Sequence, residues 1–128
     1  MRAAPLLAAS LLAAFVAALL AAGMAQAKAP EATQAEVAHL LAAVDKSQCK
    51  FNRNGSWHDA KAARSHLQKK FAYMDKRDLA PTTEKFIELG ASTSSSSGKP
   101  YQMQCGSGKP VTSASWLSEE LAKYRKAK

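Results

Sequence analysis

Cysteine is scarce in this chain, and its two cysteines form no pattern that marks a reactive or metal-binding thiol. Cys49 and Cys105 are the only cysteines among 128 residues. Neither belongs to a Cys-x-x-Cys motif, and no histidine stands at ligand spacing from either of them. A catalytic or zinc-binding thiol is therefore the weaker interpretation of this pair.

Catalytic signatures are missing as well. The three histidines, His39, His58 and His66, form no His-x-x-x-His or His-Glu-x-x-His pair, so no metal site is expected. Ser56, His58 and Asp59 are the residue types of a hydrolase triad. They are nearly adjacent, however, whereas triad members normally converge from separate elements. No Gly-x-Ser-x-Gly motif occurs either, and we therefore assign no catalytic residue and no cofactor.

Acidic residues are few, with 10 Asp and Glu against 18 Lys and Arg, which gives a net charge of +8. Such a surface attracts phosphates, acidic lipid head groups, nucleic acid or acidic proteins. The alternative is that the charges only keep the surface solvated. No nucleic-acid-binding motif accompanies the charge, so nucleic acid is not an expected partner. The basic residues cluster at Lys61, Arg64, Lys69, Lys70, Lys76, Arg77, Lys123, Arg125, Lys126 and Lys128.

The chain has one long apolar run, and it lies at the start. Ala3 to Ala22 is almost wholly apolar, follows a positive Met1-Arg2, and precedes small residues at Ala25 and Ala27. This layout predicts a signal peptide, residues 1–27, cleaved between Ala27 and Lys28. An uncleaved anchor helix is the rival interpretation, because roughly 20 apolar residues span a bilayer. Cleavage would place the protein in the periplasm or outside the cell, with membrane contact only during export.

The predicted mature part, 28–128, is one domain with a net charge of +7, since Arg2 leaves with the signal. Two cysteines in a small exported domain most often form a disulfide. Closing a loop of this length, from Cys49 to Cys105, would stabilise the fold by about 4 kcal/mol in the loop-entropy model. We therefore expect one structural disulfide.

Apolar spacing predicts four helices. Thr33 and Glu36 fit a capping box at the start of the first, and Asp59 is a plausible N-cap of the second. Gly90 suits the left-handed residue that would close the third. The helices are expected at about Gln34 to Asp45, at about Ala60 to Tyr73, after Thr82 or Thr83, and after Ser113 or Ser115.

Alternating residues predict a hairpin and one further strand. Cys49 to Arg53 and Ser56 to His58 flank Asn54-Gly55, a strong hairpin signal because both residues tolerate positive φ. Tyr101 to Cys105 alternates as a strand after a serine-rich loop at 92–97. We expect an α+β fold, in which three to four helices pack on a small antiparallel sheet of a hairpin plus one strand, with one disulfide.

Five short motifs follow one another along the chain: Cys49-Lys-Phe-Asn-Arg-Asn-Gly55, His66-Leu-Gln-Lys-Lys70, Phe86-Ile87, Ser97-Gly-Lys-Pro-Tyr-Gln-Met-Gln-Cys105 and Trp116-Leu117. This ordered set resembles a family of small exported bacterial proteins catalogued as a domain of unknown function. The resemblance covers nearly all of residues 28–128 and implies a periplasmic, single-domain protein with a Cys49–Cys105 bond. It implies no activity.

One set of residues is a candidate anion-binding site. Hydroxyls and backbone amides of a Ser/Gly loop can cradle an anion, and arginine and lysine supply charge and donors. His66 and Lys70 are four apart on one helix face, and Arg53 lies beside the hairpin turn. A flexible serine linker and a solvated helix face are the alternative. The candidate residues are Arg53, His66, Lys70, Ser95, Ser96 and Ser97.

Two functions follow from these features. The first is a non-catalytic binding or interaction module with a basic surface, whose partner is an envelope protein or an anionic ligand. The second is an enzyme that acts on an anionic envelope substrate, using His66 with Arg53 and Lys70. A deep pocket that gathers these side chains would favour the enzyme, and a flat basic surface would favour the module.

Overall fold

The computed structural model describes residues 28–128. The signal peptide predicted for residues 1–27 lies outside the described residues. Among the helices of residues 28–128, none is long and apolar enough to cross a membrane.

The described part of the chain has an α+β fold, as the apolar spacing predicts. Its elements are α1 Glu31–Ser47, β1 Lys50–Arg53, β2 Ser56–His58, α2 Ala60–Lys76, α3 Thr83–Gly90, β3 Gln102–Gln104, β4 Val111–Thr112 and α4 Ser113–Lys126. The strands form one antiparallel sheet in the order β2-β1-β3-β4. The sequence prediction missed β4, because two residues are too few to show an alternating pattern.

The sheet is organised around its central pair, β1 and β3. Asn54 and Gly55 both have positive φ, 53° and 85°, and turn β1 into β2 as predicted. Lys50 pairs with Gln104 across β1 and β3, and the Cys49–Cys105 disulfide extends that register by one residue. The expected disulfide is therefore confirmed, and it fixes the ends of the two central strands.

Helix α2 forms as its sequence predicts. The Asp59 carboxylate accepts a hydrogen bond from the Ala62 backbone N–H at 2.8 Å, which satisfies a donor that the first helical turn leaves free. The helix continues three residues beyond the predicted end. Its buried residues are the predicted stripe of Ala60, Ala63, Leu67, Phe71 and Met74.

The capping box predicted at Thr33 and Glu36 is wrong. Helix α1 begins at Glu31, so both residues lie inside it. The Thr33 hydroxyl donates to the Pro81 carbonyl at 2.9 Å, and the Glu36 carboxylate binds Arg125. Both side chains therefore bind residues that are distant in the chain, and Pro30 is the N-cap of α1.

Gly90 does not end α3 in the left-handed conformation that the sequence predicts. It is the last residue of the helix, and its φ is not positive. A Cβ atom at this position would lie 2.6 Å from the Met74 sulfur. The glycine is therefore needed for the close packing of α3 on α2.

The cap of α4 also differs from the prediction. Thr112 is the N-cap, and its hydroxyl accepts from the Ser115 backbone N–H at 3.3 Å. Ser113 is buried and donates its hydroxyl to the Ala91 carbonyl at 2.5 Å, so it joins α4 to the end of α3. Of the two predicted caps, neither Ser113 nor Ser115 fills that role.

A second polar feature joins α1, α3 and α4, and we call it the carboxylate cluster: Glu36, Thr83, Glu84 and Arg125. The Arg125 guanidinium donates to both oxygens of Glu36, at 2.7 and 3.0 Å, and also to Glu84. Thr83 donates to Glu36 at 2.6 Å. These hydrogen bonds lower the pKa of Glu36 to about 2, Arg125 being the main cause, although Glu36 is only 7% exposed.

Candidate anion-binding site

Arg53 and His66 meet where the end of β1 packs against α2. Arg53 Nη1 donates to His66 Nδ1 at 2.5 Å, and the guanidinium always carries its protons. His66 Nδ1 is therefore the acceptor, and the ring proton lies on Nε2. That proton donates to the Tyr101 hydroxyl at 3.2 Å. The imidazole is thus a neutral bridge between an arginine and a tyrosine.

The electrostatics of His66 agree with this tautomer. Burial is the main cause that lowers its pKa, to about 4, and the positive charges of Arg53 and Lys70 lower it further. Burial also lowers the pKa of Lys70, and the positive charge of Arg53 lowers it further. Burial raises the pKa of the Tyr101 hydroxyl. At neutral pH the group therefore consists of two cations, a neutral imidazole and a neutral phenol.

Lys70 lies one helical turn after His66 and faces the serine loop. Its Nζ atom donates to the Ser95 hydroxyl at 2.7 Å and lies 5.9 Å from the centre of the Tyr101 ring. We call this group the cationic cluster: Arg53, His66, Lys70, Ser95 and Tyr101. Three predicted residues, Arg53, His66 and Lys70, therefore come together with one predicted serine.

The serine loop is folded by its own hydrogen bonds. The Ser94 backbone donates to the Lys99 carbonyl and accepts from Gly98, both at 2.9 Å. Ser96 turns its hydroxyl to Ser94, away from the cluster, while Ser97 donates to the Asn54 side chain at 2.5 Å. The predicted Ser96 and Ser97 thus shape the loop and hold it on the hairpin turn. A flexible linker does not describe this segment.

Each acceptor group of the cationic cluster already accepts one hydrogen bond. Nδ1 of His66 accepts from Arg53, the Tyr101 oxygen accepts from His66, and the Ser95 oxygen accepts from Lys70. Within residues 28–128, neither Arg53 nor Lys70 forms a salt bridge. In this described part of the chain, four guanidinium N–H groups, two ammonium N–H groups and two hydroxyl hydrogens find no acceptor. The cluster is chemically a set of donors.

Two concave surfaces meet at His66. A small cavity of about 50 Å³ lies behind it, lined by Phe51, Arg53, Leu67 and Tyr101 among others. That volume is far below the roughly 300–1,000 Å³ of ligand pockets. An open groove of about 440 Å³ runs from His66 along the outside of α2. The groove is the larger space that a ligand at this site can reach.

The sequence comparisons identify the family of the chain. The model of the Family of unknown function (DUF5329) matches residues 31–125. The chain belongs to this family. The uncharacterized protein YfeK of Salmonella typhimurium is 42% identical over 64 residues, which make up 50% of this chain and 52% of YfeK. The chain thus spans about half the length of this curated relative. No solved structure matches the chain.

The DUF5329 match includes every residue of the cationic cluster and both cysteines. One cluster residue of this family member, Tyr101, is predicted by the sequence only as part of a strand. The expected disulfide could have placed Tyr101 in the cluster, because it sets the register of the two strands. Antiparallel pairing from Cys49 opposite Cys105, continued along β1 and β3, brings Arg53 opposite Tyr101.

The other chemical candidates in this DUF5329 domain have structural roles or stand apart. Asp59 caps α2, which removes it from a triad with Ser56 and His58. His39 stacks on Tyr124 with ring centres 4.2 Å apart. Across residues 28–128, no three histidine, cysteine or acidic side chains are gathered as a metal site.

Proposed function

We propose that the chain is an exported anion-binding module whose site is the cationic cluster. The observation that carries this proposal is the set of Arg53 and Lys70 donors that find no carboxylate within residues 28–128, while each acceptor group beside them already accepts a hydrogen bond. A phosphate-like or sulfate-like group presents mainly acceptors, and arginine binds such groups through paired N–H donors. The disulfide fits an exported protein, because such bonds persist in oxidising compartments.

The enzyme alternative has less support from the geometry. A general base needs a free lone pair within reach of the substrate proton. The only lone pair of the neutral His66 ring accepts from Arg53, and its remaining nitrogen is a donor. His66 therefore holds Arg53 and Tyr101 in place, and the cluster binds an anion without transforming it.

The test is a calorimetric titration of residues 28–128 with inorganic phosphate at constant ionic strength. Arg53→Ala should weaken binding by about 1.5–3 kcal/mol, the range for hydrogen bonds to charged groups. Lys126→Ala is the matched control, since Lys126 is exposed on α4 and salt screens its charge. Equal small losses in the two variants would mean diffuse attraction by the net charge and would contradict the proposal.

A further inference from the structure

The groove beside the cationic cluster follows one face of α2. His66, Lys70 and Tyr73 line it at positions i, i+4 and i+7. At 1.5 Å per residue, this face extends about 10 Å from His66 to Tyr73. Loop and helix residues from the second half of the chain, Leu79, Leu89 and Ser95, complete the walls.

The two ends of the groove differ in chemistry. Lys69, Lys70 and Ser95 lie at the end that holds the cationic cluster. The other end presents Tyr73, Leu79 and Leu89, which are 56%, 43% and 52% exposed. Residues 28–128 contain five large exposed hydrophobic side chains, and three of them line this groove. Exposed apolar groups gathered in this way mark a binding surface.

Arg77 packs against Tyr73 at the apolar end of the groove. Its guanidinium lies 3.6 Å from the centre of the Tyr73 ring, and its Nη1 donates to the Tyr73 carbonyl at 3.0 Å. One face of the ring is therefore covered, which orients the tyrosine beside Leu79 and Leu89.

The size and the walls of the groove select the kind of occupant. A volume of about 440 Å³ lies in the usual range for small molecules. A stable protein interface engages about 20–30 residues on each side, far more than this groove offers. Most of the wall is α2, whose backbone groups are bonded within the helix. An extended peptide would find few partners for its own backbone there.

Building on the function proposed above, we infer that the groove binds a single-chain anionic amphiphile. Its phosphate-like head accepts from Lys70 in the groove, with the Arg53 charge beside it beyond His66, and its hydrocarbon chain covers Tyr73, Leu79 and Leu89. The opposite polarities of the two groove ends match the two parts of such a molecule. Burial of the chain against half-exposed leucines adds binding energy that an inorganic anion cannot gain.

The experiment compares three ligands at monomeric concentrations by calorimetry: dodecyl phosphate, inorganic phosphate and uncharged dodecyl maltoside. Dodecyl phosphate should bind at least tenfold more tightly than either of the others. The double variant Leu79→Ser/Leu89→Ser should weaken dodecyl phosphate binding about tenfold, because it removes apolar contact area. It should leave phosphate binding unchanged. Val111→Ser is the control, as Val111 is exposed on β4 away from the groove.

The outcomes separate this inference from the proposed function. If dodecyl phosphate binds no better than phosphate, or if the double variant does not weaken dodecyl phosphate binding, the inference that the groove binds an amphiphile is wrong. The anion site still stands in that case, provided that Arg53→Ala weakens phosphate binding. If Arg53→Ala has no effect on either ligand, the proposed function fails first. Binding to anionic vesicles with none to monomeric dodecyl phosphate would replace the amphiphile by a membrane surface.

Discussion

The carboxylate cluster and the cationic cluster are each built around one arginine, but only the first arginine has a negatively charged partner. Arg125 donates to the carboxylates of Glu36 and Glu84, and the Thr83 hydroxyl donates a further hydrogen bond to Glu36. Arg53 meets a neutral histidine, and a second cation lies nearby. The first arrangement satisfies itself and joins three helices. The second lacks a negative partner within the described chain, which is the state expected of a site that receives its anion from outside.

The largest effect should come from the bond that sets the register of the cationic cluster. Cys49→Ser/Cys105→Ser should destabilise the fold by about 4 kcal/mol, because it releases the restraint on the unfolded chain. Urea unfolding of residues 28–128 measures this loss. A loss below about 1 kcal/mol would mean that the strand pairing of β1 and β3 does not depend on the bond.

The next test exchanges each arginine for methionine, which keeps the apolar stem. Arg125→Met leaves Glu36 buried without its partner and should cost about 3 kcal/mol, the lower end for a broken buried pair, since Arg125 itself is 44% exposed. Arg53→Met removes a cation beside Lys70 and should change stability by less than about 1 kcal/mol. Equal losses in denaturant unfolding would remove the contrast between the two clusters.

Acid should disturb the cationic cluster first. His66 has a pKa of about 4 in the folded state and 6.5 ordinarily, so the unfolded chain binds the extra proton between these values. Stability from His66 is complete above pH 6.5 and falls as the pH drops towards 4, by about 3 kcal/mol for a fully buried ring and by less here, because solvent screens the half-buried imidazole. Glu36 loses its contribution lower, from pH 4.5 to about 2. Thermal unfolding against pH should show the upper step in wild type and not in His66→Gln.

Anion binding should stabilise only through the cationic cluster, and this is the smallest expected effect. Phosphate at ten times its Kd should add about 1.4 kcal/mol to the free energy of unfolding. Arg53→Met should lose most of that gain, and Arg125→Met should keep it. Melting temperatures in phosphate and in chloride of matched ionic strength give the comparison. A gain that survives in Arg53→Met would assign the effect to the net charge.

The sequence predicted the local features well. The turn at Asn54-Gly55, the cap at Asp59 and the buried stripe of α2 depend on neighbouring residues, and each is confirmed. The predicted partners Arg53, His66 and Lys70 come together because a helix face and a hairpin end are both fixed locally. The disulfide then brings the correct strands side by side.

Three of the misses involve partners distant in the chain. Glu36 was assigned to a cap because its true partner, Arg125, lies 89 residues away. Gly90 was interpreted as a helix end because the sulfur of Met74, which requires a residue without a side chain there, cannot be inferred from sequence spacing. The alternating pattern predicts a strand at Tyr101 and no role in a site, although the Tyr101 hydroxyl accepts from His66 in the cationic cluster.

The contact between Gly90 and Met74 couples the packing of α3 on α2 to the shape of the groove. Met74 is buried on α2 and also forms part of the groove wall, whereas Gly90 does not line the groove. A methyl group at position 90 would meet the Met74 sulfur at 2.6 Å and force that side chain to move. Because Met74 lines the groove, the displaced thioether has that space to enter. One added carbon between α2 and α3 would thus narrow the groove without changing any side chain of the cationic cluster.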